Sequence, residues 1–367
     1  MRLIHCADIH LDSKLNANLT PDKAKERKQE ILNTFVRMID YAAGNAVDAV
    51  LICGDLFDTG NVSALARNTV RDAVIKHPGI DFYLLKGNHD TDAFINSFDE
   101  IPSNLKLFND TWTVYTAGRS GSVRIHGVEL DSGNSRSVQS SFSPDSMNIN
   151  IVMLHGQQAE SVSRDKAEVI DLKQFRNKGI NYLALGHVHE YVSAPLDAYA
   201  RYCYPGCLEG RGFDETGEHG FVLLDVDEET GEVTDTFVPF ATRHIYEINA
   251  DVTGLNDSPS MLDAARKAVA ATDACDDDMV KIVLTGDVDV ECEKDTEFIR
   301  KSMEDDFYFL KVYDKTKLKV DPSVFMYDSS LKGEFVRTVL AREDISEEDK
   351  SEIVRLGLEA LMGGKLA

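Results

Sequence analysis

Near its start the chain reads Leu3-Ile4-His5-Cys6-Ala7-Asp8-Ile9-His10, a short and mostly apolar run that leads into an aspartate and a histidine. Two later runs follow the same pattern. Ala49-Val50-Leu51-Ile52-Cys53 leads into Gly54-Asp55, and Phe82-Tyr83-Leu84-Leu85 leads, after one lysine, into Gly87-Asn88. Short apolar runs bounded by glycine or polar residues are typical of buried strands. The sequence therefore predicts three strands that each end beside polar side chains.

Helical patterns separate these strands. Apolar residues recur at helical spacing at Ile31, Phe35 and Ile39. Thr20-Pro21 suits a capping residue followed by proline in the first turn, so the predicted helix runs from there to about Gly44. Further elements are predicted as a helix at 63–76, strands at 123–125, 149–154, 182–185, 201–204, 221–226 and 233–239, and a loop at 132–144. This alternation of strands and helices indicates an α/β sandwich.

The character of the sequence changes near Arg243. Strands are predicted at 245–249, 280–284, 308–313 and 317–320, with helices at about 261–271, capped near Ser258, and 296–304. Together they indicate a small α+β domain. Residues 330–362 then show two helical patterns, the second capped by Ser346 and ended by Gly363-Gly364. We therefore expect domains at 1–243 and 244–328, and a helical tail at 329–367.

The amino-acid composition limits the kinds of protein to which this chain can belong. The chain has 367 residues, 43% of them hydrophobic and 28% charged, as in globular proteins. A formal net charge of −24 argues against a broad basic surface for DNA. No apolar run approaches the length of a membrane span, and residues 1–12 carry no secretory pattern, so we expect a cytoplasmic protein without a membrane partner. The six cysteines form no CxxC pair, which favours free thiols.

Two more predicted strands also end in polar residues. Residues 149–154 lead into His155-Gly156, and residues 182–185 lead into Gly186-His187-Val188-His189. Ligands of α/β folds gather at the carboxyl ends of strands, so these polar groups should meet at one rim. Each motif alone also fits an ordinary turn; the whole set carries the prediction. The candidate metal ligands are Asp8, His10, Asp55, Asn88, His155, His187 and His189.

This donor set indicates which metals could bind. Imidazole suits Zn, Fe and Mn, and carboxylate and amide oxygens suit Mn and Mg. The ligands are too many for one tetrahedral zinc site, so two ions sharing one carboxylate are predicted. The remaining histidines are interpreted as structural or surface residues: His5, His77, His126, His219 and His244.

The order of these motifs resembles the calcineurin-like metallophosphoesterase superfamily, which implies a four-layer α/β sandwich. More narrowly, the chain resembles the SbcD-type DNA repair exonucleases, particularly their YhaO-like bacterial branch. The segments that carry this narrower resemblance are Ala7-Asp8-Ile9-His10-Leu11-Asp12, Gly54-Asp55-Leu56-Phe57-Asp58, Tyr204-Pro205-Gly206-Cys207-Leu208-Glu209-Gly210-Arg211 and Asp214-Glu215-Thr216-Gly217. It covers about residues 1–240 and extends loosely into the second domain, which corresponds to the family's DNA-capping domain.

The resemblance implies a role for each site residue. One metal would be held by Asp8, His10, Asp55 and His189. The other would be held by Asp55, Asn88, His155 and His187, so that Asp55 bridges the two. His89 would be a catalytic residue that faces the phosphate, Asp90 would orient His89, and Asp58 would support the ligands. Mn²⁺ is the expected metal, with Fe and Zn as alternatives.

Three classes of function follow from this site. The favoured one is a metal-dependent DNA exonuclease or phosphodiesterase acting in DNA repair. A small-molecule phosphodiesterase or phosphatase is the alternative, and the acidic net charge of −24 favours it. An interaction scaffold with a residual metal site is disfavoured because no ligand position is missing.

The tail carries an apolar stripe whose purpose the sequence leaves open. Val354, Leu358, Leu361 and Met362 fall on one helical face. The family resemblance implies docking onto the coiled coil of an ABC-type ATPase, in the manner of a helix bound in a groove. Packing on the protein's own core is the other interpretation, and a homodimer is a further open partner.

Overall fold

The apolar run at residues 3–6 forms a central strand of a six-stranded sheet. The computed structural model describes residues 1–15, 19–58, 62–158, 168–289, 292–319 and 322–361. The chain divides into two units, Met1–His244 and Ile245–Ala367. No helix within these described ranges is both long enough and apolar enough to cross a membrane.

The described part of the first unit contains fourteen strands and three α-helices. Its strands are β1 (Arg2–Cys6), β2 (Ala49–Cys53), β3 (Asp81–Leu85), β4 (Leu105–Leu107), β5 (Thr113–Ala117), β6 (Val123–Gly127), β7 (Ile149–His155), β8 (Gln157–Gln158), β9 (Val169–Ile170), β10 (Tyr182–Gly186), β11 (Val192–Pro195), β12 (Arg201–Tyr204), β13 (Gly220–Val226) and β14 (Val233–Pro239). Its helices are α1 (Pro21–Gly44), α2 (Ala64–Lys76) and α3 (Ser135–Ser141).

Two six-stranded sheets form the first unit. One has the order β14-β13-β1-β2-β3-β4, and the other has the order β11-β12-β10-β7-β6-β5. Strands β1 to β4 run parallel, as do β6, β7, β10 and β12. Buried side chains from both sheets share one core, which includes Leu51, Ile151 and Tyr182. The predicted α/β sandwich is confirmed.

Local sequence explains the long helix α1. The Thr20 side chain accepts a hydrogen bond from the backbone of Lys23 at 3.4 Å, which caps the helix start, and Pro21 occupies the first turn. Ile31, Phe35 and Ile39 form its buried face, as their spacing predicts.

Helix α3 corrects the sequence prediction, which expected a loop at 132–144. Serine-rich segments favour helix weakly, so the local pattern does not reveal it. Tertiary contacts hold it instead: the indole of Trp112 donates to the carbonyl of Val138 at 2.9 Å, and buried Gln139 donates to the carbonyl of Val169 at 2.8 Å.

The second unit is a smaller α+β assembly. Its elements are β15 (Ile245–Asp251), α4 (Ser258–Ala270), β16 (Met279–Thr285), β17 (Asp287–Asp289), α5 (Thr296–Met303), β18 (Phe309–Asp314), β19 (Lys317–Lys319), α6 (Leu331–Leu340) and α7 (Glu347–Leu361). Strands β15, β16 and β18 form a parallel sheet. The cap of α4 is Asp257 rather than Ser258, because its carboxylate accepts the backbone N–H of Ser260 at 2.8 Å.

The tail helices pack within the second unit. Val336 of α6 and Val354 and Leu358 of α7 are buried in its hydrophobic core. Much of the predicted docking stripe therefore already covers the protein's own core, as the second interpretation expects. Leu361 is 41% exposed. Val320, Met362, Gly363 and Gly364, which belong to the predicted strand and tail, lie outside the described residues.

A buried ionic network fixes α1 to a distant loop. The guanidinium of Arg27 donates to the Glu209 carboxylate and to the carbonyl of Gly210, both at 2.9 Å. The hydroxyl of Thr34 donates to the same carboxylate at 2.6 Å. Both Arg27 and Glu209 are 1% exposed, so each charge depends on the other for its solvation.

We expect Arg27→Met to lower the free energy of unfolding by about 3–5 kcal/mol, because it leaves the Glu209 carboxylate buried without its cation. Urea denaturation followed by circular dichroism measures this. Lys25→Met, at an exposed position of the same helix, is the matched control and should change stability by less than about 0.5 kcal/mol. Equal effects of the two substitutions would contradict the role assigned to the buried pair.

Candidate metal centre

The predicted ligands meet at the carboxyl ends of strands from both sheets. Asp8 follows β1, Asp55 follows β2, and His155 ends β7. Two groups of side chains have ligand atoms that all lie within 4.8 Å of one another. The first is Asp8, His10 and His189, and the second is Asp55, His155 and His187.

In the first group the inner ring nitrogens face one another. Nε2 of His10 lies 3.2 Å from Nε2 of His189 and 4.0 Å from Oδ1 of Asp8. Asp8 and His10 are buried, whereas the His189 side chain is 31% exposed.

In the second group Nε2 of His155 lies 3.4 Å from Oδ2 of Asp55 and 3.1 Å from Oδ1 of Asn88. Oδ2 of Asp55 also lies 3.9 Å from Nε2 of His10. The Asp55 carboxylate therefore lies between the two groups, and the Asn88 amide oxygen lies at the second.

The outer nitrogens of three rings each face an acceptor. Nδ1 of His10 lies 3.1 Å from the Asp58 carboxylate, and Nδ1 of His189 lies 2.7 Å from the Glu215 carboxylate. Nδ1 of His155 lies 2.9 Å from the carbonyl oxygen of Cys53. Such acceptors place the ring proton on Nδ1 and leave the Nε2 lone pair free. Two inward lone pairs 3.2 Å apart repel unless a proton or a metal ion lies at them, and with the Asp8 carboxylate beside them these donors fit a metal ion.

The backbone at this rim adopts a conformation that is unfavourable for side-chain-bearing residues. Asp8, His10, Asp55 and His187 have φ values of 51°, 48°, 50° and 104°. Positive φ costs such residues on the order of 1–3 kcal/mol each and persists where surrounding structure enforces it. Here the backbone N–H of His10 donates to the carbonyl of Asp55 at 3.0 Å, and His187 donates its N–H to the Asp8 carboxylate at 2.8 Å.

Two glycines allow the strand ends to approach closely. A Cβ at Gly186 would lie 1.8 Å from the carbonyl oxygen of Cys53. A Cβ at Gly54 would lie 2.1 Å from Nδ1 of His155. Any other residue at Gly186 would therefore force the backbone of the two sheets apart at the candidate centre.

The carboxylates behind the rings are held ionised. Burial opposes ionisation of Asp58, but its interaction with the His10 ring, 3.1 Å away, and the charge of Arg211 outweigh it and lower the pKa to about 2. Burial likewise opposes ionisation of Glu215, and its bonds to His189 and Arg211 hold its pKa below the usual range. Both groups are therefore acceptors at neutral pH.

The role predicted for Asp90, to orient His89, stays a prediction, and the contacts of its carboxylate lie with backbone groups. The Asp90 carboxylate accepts the backbone N–H groups of Leu56, Phe57 and Gly87 at 3.2, 2.9 and 3.0 Å. It joins the loop after β2 to the loop after β3. Burial and the nearby charge of Asp55 raise its pKa to about 6, despite these bonds.

The ring of His89 is oriented by a backbone group. Its Nδ1 lies 3.2 Å from the carbonyl oxygen of Asp58, and its side chain is 45% exposed. The ring lies edge-on to that of His10, with centroids 5.3 Å apart. His89 thus borders the candidate centre without belonging to either group of ligands.

Sequence reasoning gave no role to two residues at this site. Arg211 contacts Glu215 at 2.6 Å and Asp58 at 3.4 Å, and Glu215 contacts His189. Both lie in segments that carry the family resemblance, which was the only signal for them. Their pairing with His189 could not be read from the sequence, because 26 residues separate Glu215 from that ring.

The other histidines lie outside both groups. His5 contacts the Tyr182 hydroxyl at 3.0 Å, His126 contacts the Asn150 side chain at 2.8 Å, and His219 contacts the carbonyl of Glu215 at 3.0 Å. All three are buried, whereas His244 is exposed and His77 is half-buried.

The sequence pattern of the calcineurin-like phosphoesterases matches residues 1–191, which is more than half of the chain. The chain belongs to this family. Its two groups of candidate ligands lie in the part of the chain that carries the family pattern.

Curated relatives of this phosphoesterase include proteins named for DNA repair. It is 30% identical to the uncharacterised metallophosphoesterase YhaO of Bacillus subtilis over 62% of this chain and 57% of that protein. It is 26% identical to the DNA double-strand break repair protein Mre11 of Methanopyrus kandleri over 62% of this chain and 54% of that protein. It is 28% identical to one component of the nuclease SbcCD of Escherichia coli over 34% of this chain and 28% of that component. The chain thus spans little more than half the length of the first two relatives.

We expect Gly186→Ala to disrupt the centre, because its methyl group would meet the Cys53 carbonyl and the His155 ring. The substitution should lower the free energy of unfolding by about 1–3 kcal/mol and reduce bound metal, measured by elemental analysis of the dialysed protein. Gly79→Ala is the matched control, because nothing lies within 4 Å of the added carbon. Full metal content in the Gly186 variant would contradict the packing described here.

Proposed function

We propose that this phosphoesterase is a two-metal nuclease that hydrolyses DNA phosphodiesters. Asp8, His10, Asp55 and His189 would hold one ion, and Asp55, Asn88, His155 and His187 the other. The observation that carries the proposal is the position of Asp55, whose Oδ2 lies 3.9 Å from Nε2 of His10 and 3.4 Å from Nε2 of His155. One carboxylate between two sets of inward-facing donors suits a shared ligand.

Two divalent ions supply Lewis acidity toward a phosphate and lower the pKa of water. The protein's part is to keep its donors available and aligned. Asp58, Glu215 and the Cys53 carbonyl hold protons on the outer ring nitrogens, so the inner nitrogens present lone pairs. Burial of Asp8 and Asp55 excludes competing water from their carboxylates. Mn²⁺ is the metal we propose, in keeping with the mixed imidazole and oxygen donors.

His89 is proposed as the catalytic residue that assists the leaving oxygen. Its Nδ1 faces the carbonyl of Asp58 at 3.2 Å, so Nε2 is the nitrogen left for a substrate. Because the Asp58 carbonyl keeps one proton on Nδ1, Nε2 can donate only when the ring is the doubly protonated imidazolium, which can pass that proton to the departing sugar oxygen or stabilise its negative charge. Its 45% exposed side chain is open to a phosphodiester that approaches the rim.

DNA is the proposed substrate because relatives of this chain are named for DNA repair and nuclease activity. The opposing fact is the formal net charge of −24, since affinity for DNA normally comes from Lys and Arg. A partner protein that supplies basic surface resolves this conflict. We propose an ABC-type ATPase in that role, a cytoplasmic location, and a division into a nuclease domain at 1–243, a DNA-capping domain at 244–328 and a partner-binding tail at 329–367.

The tail would not bind this partner through Val354 and Leu358, which are buried in the second unit's core. Exposed apolar side chains lie at Leu331 of the tail and at Met326 and Tyr327 just before it, and Tyr327 is 98% exposed. They lie at the start of helix α6, where the Arg337 guanidinium bonds the Met326 carbonyl at 3.4 Å. This is the surface we propose for the ATPase.

The acidic charge favours a second candidate, a phosphodiesterase or phosphatase that acts on small molecules. Such substrates carry few phosphates and need no extended basic surface. The same metal ligands and His89 would serve either reaction.

We expect His89→Asn to retain two bound ions and to lose roughly 10²-fold or more in kcat, because it removes a proton donor without removing a ligand. Elemental analysis and steady-state kinetics on a chromogenic phosphodiester give the two measurements. The matched control is His77→Asn, at a half-buried position outside the site, which should leave both values unchanged. Loss of metal from the His89 variant would make this histidine a ligand instead.

The DNA proposal predicts cleavage of linear double-stranded DNA in Mn²⁺ that exceeds cleavage of a small chromogenic phosphodiester in kcat/KM. Gel analysis of end-labelled DNA measures the first reaction and absorbance the second. Asp55→Asn, which weakens the ligand shared by both ions, should abolish both. Efficient turnover of the small ester with no action on DNA, both without and with the proposed ATPase partner, would support the second candidate and contradict the first.

A further inference from the structure

Arg211 lies between the two carboxylates that hold the rings of the first group of ligands. Its Nη1 lies 3.4 Å from the Asp58 carboxylate, which faces Nδ1 of His10 at 3.1 Å. Its Nη2 lies 2.6 Å from the Glu215 carboxylate, which accepts from Nδ1 of His189 at 2.7 Å. One guanidinium thus connects the supports of two histidines that lie 179 residues apart in the chain.

We propose that Arg211 is a positioning residue for the metal ion held by Asp8, His10 and His189, and that it acts through Asp58 and Glu215 without touching the ion. This inference rests on the proposed metal centre. The two ions differ in their dependence on Arg211, and only the binding of the ion in the first group is weakened when Arg211 is replaced.

The guanidinium is suited to this task because it is a flat fork with five donors in fixed directions. It can bond one carboxylate on each arm and hold both at a set distance. Without it, two ionised carboxylates would face each other in a partly buried site and repel. His189 depends on this support most, because its side chain is 31% exposed while that of His10 is 2% exposed.

Arg211 is itself held in place by the loop that carries it. Its backbone N–H donates to the Glu215 carboxylate at 2.7 Å. Two residues earlier, Glu209 is fixed to Arg27 of α1 within the buried ionic network. The same loop contacts the ligand segment, since the N–H of Cys207 donates to the carbonyl of His189 at 3.1 Å. The long helix therefore defines where the guanidinium lies.

The second group lacks an equivalent ionic support among the described residues. The outer nitrogen of His155 bonds the Cys53 carbonyl, a backbone group that belongs to strand β2. The side chain of Arg211 contacts Asp58, Glu215 and His189, which all belong to the first group and its supports. Replacement of Arg211 should therefore affect the first group of ligands and spare the second.

The experiment measures Mn²⁺ dissociation constants by titration calorimetry on the full chain in two backgrounds. His155→Ala impairs the second group, so the dissociation constant measured in this background is that of the ion held by the first group. His189→Ala impairs the first group, so the dissociation constant measured in that background is that of the ion held by the second group. Arg211→Met, which keeps the side-chain stem but has no donors, is added to each background.

We expect Arg211→Met to weaken Mn²⁺ binding by about 10- to 100-fold in the His155→Ala background and to leave it unchanged in the His189→Ala background. Arg211→Lys should be impaired nearly as much as Arg211→Met, because one ammonium cannot bond both carboxylates in fixed directions. Unchanged affinity in both backgrounds, equal losses in both, or wild-type affinity for the lysine variant would each overturn the positioning role. A parent protein that binds fewer than two Mn²⁺ ions would instead overturn the proposed metal centre itself.

Discussion

The hydrogen bond from the backbone N–H of His10 to the carbonyl of Asp55, at 3.0 Å, is the constraint on which the centre depends. It continues the pairing of β1 and β2 beyond their last regular residues, where the chain has already turned into a left-handed conformation. That turn directs the side chains of Asp8, His10 and Asp55 toward one place. The pairing of β1 with β2 therefore fixes the positions of these three donor side chains.

Charge balance provides a second constraint. Asp8, Asp55, Asp58 and Glu215 bring four carboxylates together, and Arg211 is a cation that contacts two of them. Buried anions are unfavourable unless cations accompany them. The proposed ions would supply that compensation, so their binding and the stability of the first unit should be linked. These carboxylates contribute to the negative charge of the chain, and together they attract divalent cations.

The sequence reveals most of the fold because apolar runs and helical spacing are local properties. It indicates the strand ends and their polar residues for the same reason. The contacts of Asp90 could not be predicted in this way. Its carboxylate accepts the backbone N–H groups of Leu56 and Phe57, which lie 34 and 33 residues away in the chain, and no sequence motif indicates such contacts. Helix α3 escapes prediction likewise, and the sequence predicts the apolar face of α7 but leaves open what covers it, because long-range packing decides both.

The space around the His155 ring has an evolutionary consequence. Atoms of that ring leave no room for a side chain at Gly54. The φ of this residue is +89°, a value that asparagine tolerates better than most residues. A lineage that lost His155 would gain room for such a residue at position 54. Once present, that side chain would occupy the volume an imidazole needs, and a single reversion could no longer restore the histidine. The His155 ring and a side chain at position 54 therefore exclude each other, so neither position can be changed independently of the other.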